Sequence, residues 1–255
     1  MSFITIIPAR LASSRLPNKA LLDIGGKAMV VRTAEQARLS ASKRVIVATD
    51  STEIAAVAQE AGFEALLTHA DHPTGTDRLS EVVQKLNIPD EEIIVNVQGD
   101  EPLIDPALIN HVAHTLQSAA EASIATVGVP ISDPELLFNP NVVKVVCDQA
   151  QYALYFSRAP IPWDRDALAN GKQHLSTDTL PALQHVGLYA YKASFLRQFP
   201  KLARGKLEGV ESLEQLRALE HGFRIAVTTS HFPPAPGVDT AEDLAKVREI
   251  VINRL

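Results

Sequence analysis

Over the first hundred residues, short apolar runs alternate with stretches of helical composition. The runs at 3–7, 45–48, 65–67 and 93–97 have the length and β-branched content of buried strands, and the stretches at 28–39, 51–61 and 77–86 separate them as helices. Strand, helix, strand at this spacing predicts right-handed crossovers, and so a parallel sheet with helices on both faces. Ligands on such sheets bind at the carboxyl ends of the strands. Two polar loops fall at such ends: residues 8–19, and Gln98-Gly99-Asp100-Glu101-Pro102.

The second half is less regular. Extended stretches at 124–129, 142–146, 152–156 and 186–191 alternate too weakly to order in a sheet, and the polar segment 164–181 reads as an exposed excursion between them. Residues 207–221 have helical composition without proline. Thr240 followed three residues on by Asp243 marks the start of a last helix running towards Arg254. With no internal repeat or low-complexity linker, the chain is expected to form one domain, 1–255, with a protruding subregion.

Composition narrows the function classes. At 46% hydrophobic content, 255 residues can bury a substantial core, and 24 Lys+Arg against 30 Asp+Glu give a formal net charge of −6. General electrostatic attraction to nucleic acid is therefore not expected, and any anion site must be local. The apolar N-terminus is broken by Pro8 and Arg10 without a basic leader, which reads as neither a signal peptide nor a spanning helix, and a cytoplasmic setting without a membrane partner is expected. The one cysteine, Cys147, stands among valines and reads as structural rather than nucleophilic.

The loop after the first strand carries Arg10, Arg15 and Lys19 among small residues, with Pro8 and Pro17 stiffening its ends. Three cations in ten residues at a strand end suit a polyanion such as a triphosphate. No G-x-x-x-x-G-K-[ST] loop or G-x-G-x-x-G fingerprint occurs, which argues against a P-loop kinase or a Rossmann dehydrogenase. Asp100 past the strand at 93–97 could meet a phosphate-bound magnesium as a hard oxygen ligand, or could simply start a turn before Pro102. Asp239, before the last helix, could be a second ligand or a carboxylate favoured by the helix dipole. Thr74-Gly75-Thr76-Asp77-Arg78 could bind a base or phosphate, or be an ordinary N-cap. His69 and His72 read as loop residues. Glu208, Glu211 and Gln215 would share one face of a continuous helix over 207–221, as a sugar-binding strip or a solvated face. Arg158, after the strand at 152–156, has the planar fork that matches a carboxylate.

Taken in order, Ile7-Pro8-Ala9-Arg10, Ser14-Arg15-Leu16-Pro17, Thr74-Gly75-Thr76-Asp77-Arg78, Val95 to Pro102, Phe138-Asn139-Pro140-Asn141, Tyr155-Phe156-Ser157-Arg158, Ile161 to Asp166 and Gly237-Val238-Asp239-Thr240 closely resemble the 3-deoxy-manno-octulosonate cytidylyltransferase (CMP-KDO synthetase) family. The resemblance runs nearly end to end. It implies a nucleotide-diphospho-sugar-transferase-like α/β fold, a mixed sheet flanked by helices in a single domain with a protruding dimerisation subregion, and a homodimer. The implied reaction joins CTP and the sugar acid KDO into CMP-KDO and pyrophosphate for lipopolysaccharide biosynthesis.

By the same resemblance, Lys19, Arg10, Asp100 and Asp239 are catalytic, and Asp100 and Asp239 hold magnesium. Ala9, Arg10, Ser14, Arg15, Lys19, Gly75, Thr76, Arg78, Gln98 and Asp100 bind the nucleotide. Gln98, Arg158, His185, Tyr189, Glu211 and Gln215 surround the sugar acid. Asn18 and Ala20 stand where Gly and Pro are usual in the phosphate loop, and Asn tolerates the positive φ such a loop needs. Gln184 replaces a commoner Arg, and Asp77 a Glu. Arg15-Leu16-Pro17 and the Tyr155 to Arg158 block weigh against a neuraminate enzyme, and a non-catalytic nucleotide-sugar binder would not need both aspartates.

Overall fold

The computed structural model describes residues 2–12, 16–176, 180–230 and 235–253. The first half alternates as its hydrophobic pattern predicts: β1 (Phe3–Ala9), α1 (Met29–Arg38), β2 (Ser42–Thr49), α2 (Thr52–Glu60), β3 (Glu64–Leu67), α3 (Gly75–Lys85) and β4 (Ile93–Asn96), followed by a helix the pattern did not predict, α4 (Pro106–Ser118). The rest of the chain adds β5 (Ala122–Pro130), α5 (Pro134–Phe138), β6 (Lys144–Cys147), β7 (Ala153–Ser157), α6 (Arg165–Ala169) and β8 (Leu183–Lys192). It ends with α7 (Ala193–Gln198), α8 (Lys206–Glu211), α9 (Gln215–Glu220), β9 (Arg224–Thr229) and α10 (Ala241–Ile252).

The strands form one mixed sheet in the order β3-β2-β1-β4-β8-β5-β9. Strands β1 to β4 pair in parallel, whereas β8 runs antiparallel to both β4 and β5. Because a strand buried on both faces alternates its contacts with period two, β1 sends Phe3 and Ile7 to one core and Ile4 and Ile6 to the other. The first core is closed by apolar residues of α1, α2 and α4, and the second by those of α3, α7 and α9. The result is a single α/β domain.

From β1 the chain passes to β2 on one side and later returns to β4 on the other, so the loops after β1 and β4 diverge at a topological switch point. That divergence opens a crevice. Its floor is held tight at Gly99, where an added Cβ would lie 3.0 Å from the Pro8 carbonyl oxygen. Only a residue without a side chain lets the β4 loop approach β1 so closely.

The β6–β7 pair leaves the main sheet and attaches to it through β6 and β8, forming the expected protruding subregion. The described part of the 164–181 excursion holds α6 and a short turn of 3-10 helix (Lys172–His174), and it tucks Leu175 into a small apolar cluster with Ile131 and Leu137. Cys147 is half-buried, and burial, with Asp148 adding to it, pushes its thiol up to about 11. At pH 8 its thiolate is on the order of one part in a thousand, so alkylation by iodoacetamide is expected to run roughly a hundred-fold slower than for free cysteine. A rate matching free cysteine would show the thiol to be activated instead.

The helix expected over 207–221 is two helices. Ser212 takes the left-handed conformation, φ 53° and ψ 49°, which ends α8 and redirects the chain into α9. Serine pays for that backbone with strain that no glycine or proline announces in the sequence. The shared face expected for Glu208, Glu211 and Gln215 therefore does not exist, and the three side chains go to different places. Glu208 and Arg217 form a buried two-point ion pair at 2.6 and 2.8 Å that ties α8 to α9.

Candidate active site

The phosphate-loop side is built from the strand end of β1 and a 3-10 turn, Lys19–Leu21, that begins after Asn18 at φ 54° and ψ 32°. Asparagine meets the left-handed geometry expected where glycine is usual. Ser14 and Arg15 lie outside the described residues. Leu11 N–H donates to Asp50 Oδ1 at 3.2 Å, and the other oxygen of Asp50 takes the Arg78 guanidinium at 3.2 Å. Arg78 also donates to Thr68 Oγ1 at 2.5 Å and is almost fully buried. Arg78 thus links the start of α3 to the loop after β1.

The C-terminal helix supplies the opposite wall. Leu244, Val247 and Val251 of α10 pack with Val238 against Ile24 and Met29. The start of α10 is fixed by a capping box, Thr240 with Asp243, as its spacing predicts. Val238 N–H donates to the Asp100 carbonyl at 2.9 Å, so the chain before α10 is stitched directly to the loop after β4.

Between these walls Lys19 Nζ lies 2.6 Å from Asp100 Oδ2, 3.1 Å from Asp239 Oδ1 and 3.0 Å from the Val238 carbonyl. Residues 81 and 220 positions apart from Lys19 therefore converge on one ammonium. Burial by itself would lower the Lys19 pKa, but the charges and hydrogen bonds of Asp100 and then Asp239 outweigh it and raise the pKa. Glu101, whose role the sequence does not announce, stands behind this group. Burial, reinforced by Asp100 and Asp239 and opposed by Lys19, pushes its carboxyl up to about 8.

A cavity of about 400 Å³ opens here, lined by Ala9, Arg10, Lys19, Gly75, Arg78, Gln98, Asp100 and Asp239 of the expected residues. His72 joins them, its Nε2 hydrogen-bonded to Glu81, whose carboxylate is held down at about 2. For Glu81, hydrogen bonds from Lys85, His72 and the His69 N–H outweigh the upward push of burial. Thr74 caps α3, its Oγ1 accepting from Asp77 N–H at 3.2 Å, as the N-cap reading expects, and Thr74 and Gly75 also line the cavity. Thr76 turns away from this cavity.

A second cavity, also about 400 Å³, shares Arg10, Pro73, Thr74, Gly75 and Gln98 with the first and continues to Arg204, Glu214 and Gln215. Gln215 is buried, and its Nε2 has no hydrogen-bond partner among the described residues. A buried amide left so costs about 1–3 kcal/mol, which a ligand hydroxyl or carboxylate in the cavity would offset.

The remaining expected sugar-site residues, Arg158, His185, Tyr189 and Glu211, are not on the lining of this cavity. Arg158 donates from Nε to the Glu211 carbonyl at 2.8 Å and from Nη1 to the Pro140 carbonyl at 3.1 Å. Its own carbonyl accepts from the buried Lys144 Nζ at 2.5 Å. Glu211 accepts from Ser157 Oγ at 2.6 Å and from Arg158 N–H at 3.0 Å, capping the end of β7. His185 bonds Thr126 Oγ1 at 3.0 Å and packs edge-on to Phe156, and burial lowers its imidazole to about 3. Tyr189 stacks on Tyr191, and burial raises its phenol well above the ordinary value. Glu214, missed because the helix break at Ser212 is invisible in the pattern, lines the second cavity beside Gln215.

A family model described as cytidylyltransferase matches residues 4–225. A solved structure of a CMP:2-keto-3-deoxy-manno-octonic acid synthetase complexed with CTP is similar at 38% identity, over 100% of both chains, with a TM-score of 0.90. Two others are alike in fold alone. One is a cytidylyltransferase from Leptospira borgpetersenii serovar Hardjo-bovis, at 16% identity over 99% of this chain and 94% of that one, TM-score 0.57. The other is a 4-diphosphocytidyl-2C-methyl-D-erythritol synthase from Anaerococcus prevotii, at 13% over 98% and 99%, TM-score 0.62. With a crevice at the switch point, a family match over residues 4–225 and a 38% identical structure alike along the whole chain, the chain belongs to the cytidylyltransferase family and is a nucleotidyltransferase.

Proposed function

We propose that the protein transfers CMP from CTP to 3-deoxy-D-manno-octulosonate (KDO), giving CMP-KDO and pyrophosphate for lipopolysaccharide biosynthesis. The full-length likeness to the synthetase carries this reading. The two joined cavities supply its physical sense, because Arg10 and Gln98 belong to both and so stand where two substrates would meet.

In this reaction the anomeric hydroxyl oxygen of KDO attacks the α-phosphorus of CTP in line. A new O–P bond forms, the bond to the β-phosphate oxygen breaks, and the hydroxyl proton is lost. Positioning and charge neutralisation dominate such a step. Lys19 and Arg10 bind the phosphates and take up charge on departing pyrophosphate, while Arg78 fixes the wall against which the nucleotide lies. Gln215 and Gln98 orient the sugar acid from the second cavity.

A divalent magnesium ion fits the donor set. Asp100 and Asp239 aim hard carboxylate oxygens at a point that an ammonium already occupies. Among the described residues no cluster of three or more His, Cys, Asp or Glu could hold a metal ion, and magnesium ordinarily keeps several water and phosphate ligands. Held by Asp100 and Asp239, magnesium would supply charge neutralisation at phosphate and a lowered hydroxyl pKa.

A homodimer in the cytoplasm completes the proposal. Leu154 and Trp163, both exposed, lie on the protruding subregion, where a second copy would cover them. Among the described residues no helix is long and apolar enough to cross a membrane.

Pyrophosphate release with CTP and magnesium across a panel of sugar acids tests the substrate. KDO is expected to exceed neuraminate by at least about a hundred-fold in kcat/KM, because a mismatched acid leaves buried polar groups such as the Gln215 amide unpaired. Equal specificity constants would remove KDO as the substrate.

A further inference from the structure

We infer that Glu214 is a positioning residue that sets the sugar-acid cavity against the nucleotide cavity by anchoring the break between α8 and α9 to the first turn of α3. The inference rests on the proposed function for the identity of the two ligands. Its basis is geometric. After Ser212 reverses the chain in the left-handed conformation, Glu214 is the residue immediately before Gln215, the first of α9. Thr76 Oγ1 donates to Glu214 Oε1 at 2.7 Å, and Thr76 is itself 1% exposed in the first turn of α3.

That turn begins at Gly75, which with its cap Thr74 lines both cavities, whereas Gln215 and Glu214 line the second. The contact therefore spans the two binding walls. The neighbouring Glu208–Arg217 pair fastens α8 to α9 but reaches neither wall of the nucleotide cavity. Packing of Leu216 and Ala218 into the core sets how deep α9 sits. A directional acceptor at Glu214 adds what packing lacks, a fixed distance from the Gln215 amide to the nucleotide wall. A misplacement near 1 Å at a reacting centre is costly, so a small drift of α9 has a large kinetic effect.

Five proteins measured side by side test this: the parent, Glu214→Ala, Glu214→Gln, Thr76→Val and the Glu214→Ala/Thr76→Val double variant. Loss of the contact in Glu214→Ala should raise KM for KDO by about tenfold or more while KM for CTP changes less than about threefold. Glu214→Gln keeps an acceptor for the Thr76 hydroxyl and should recover most of the KDO affinity. Thr76→Val should reproduce the Glu214→Ala defect, and combining the two should add little.

Amide hydrogen exchange over residues 212–216 gives a readout independent of the substrate. Exchange should quicken in Glu214→Ala and Thr76→Val and return towards the parent rate in Glu214→Gln. Unchanged exchange, or a parallel rise of both KM values, would overturn the inference. So would a KM for KDO in Glu214→Gln raised as far as in Glu214→Ala, since it would give the carboxyl a charge or proton-transfer role. A parent enzyme inactive with KDO but showing the exchange pattern would instead remove the substrate assignment and leave the positioning contact intact.

Discussion

Asp100→Asn and Asp239→Asn are each expected to lower turnover by about a thousand-fold or more, on the scale seen when a member of a cooperating catalytic group is removed. The double variant should be little worse than the poorer single one. Residues that act as a unit are strongly non-additive, and these two meet on one ammonium despite lying far apart in sequence. Folding should survive, because the Asp100 and Asp239 side chains are 32% and 62% exposed and water can replace the lost contacts.

The competing account of Asp239 is electrostatic support for the start of α10, worth about 0.3–1 kcal/mol of stability with little effect on turnover. The structure weakens that account at a specific point. The orphan N–H groups at this helix end are served by Thr240 and Asp243, whose carboxylate accepts from both Asp239 N–H and Thr240 N–H, while the Asp239 carboxylate faces Lys19. Thermal unfolding and magnesium-dependent pyrophosphate release, measured on the two single variants and the double, decide between the accounts. A fully active Asp239→Asn enzyme would end the shared-cation reading.

What the sequence made legible follows from how local each signal is. The strands and helices up to β4 could be read because each is a short apolar run or an amphipathic stretch between turn residues, and β1 at the switch point placed Arg10 and Lys19 without any knowledge of the partner strands. The capping box at Thr240 and the left-handed Asn18 were equally local. The parts that were not read differ in kind. Helix α4 carries a local signal, Asp105 before Pro106, that the alternation of strands and helices overlooked. Strand β9 gains its identity only from pairing with β5 across a hundred residues.

The sugar side was harder still. Arg158 has the shape of a carboxylate receptor, yet its Nε and Nη1 are engaged by the carbonyls of Glu211 and Pro140, and nothing in the spacing of those residues reveals it. The same is true of Glu211, whose acceptors go to Ser157 and the Arg158 N–H, and of Glu214, which becomes visible only once Ser212 breaks the helix. A buried polar residue declares its use through its partners, and partners are tertiary.

Lys19→Ala should lower kcat by about a hundred-fold or more if its ammonium stabilises charge on departing pyrophosphate, the scale found for removal of one preorganised donor. Three features of the structure favour an effect of that size over the small one typical of a surface lysine. Its side chain is only 17% exposed, so solvent screens it weakly. Asp100 and Asp239 hold its charge fully in place, and their net effect raises its pKa above the ordinary value, so the ammonium stays charged throughout the neutral range. Its position between the strand end of β1 and the loop after β4 is fixed by the Val238 carbonyl as well as by the two carboxylates. Thermal stability should change little, since the aspartates left behind are partly solvated. KM for CTP should rise less than kcat falls, because a group that meets charge developing on the leaving phosphate acts mainly in the transition state. Turnover within about threefold of the parent, below the range for such donors, would return Lys19 to the role of a solvated loop cation. A rise in KM for CTP with kcat preserved would make it a binding group alone.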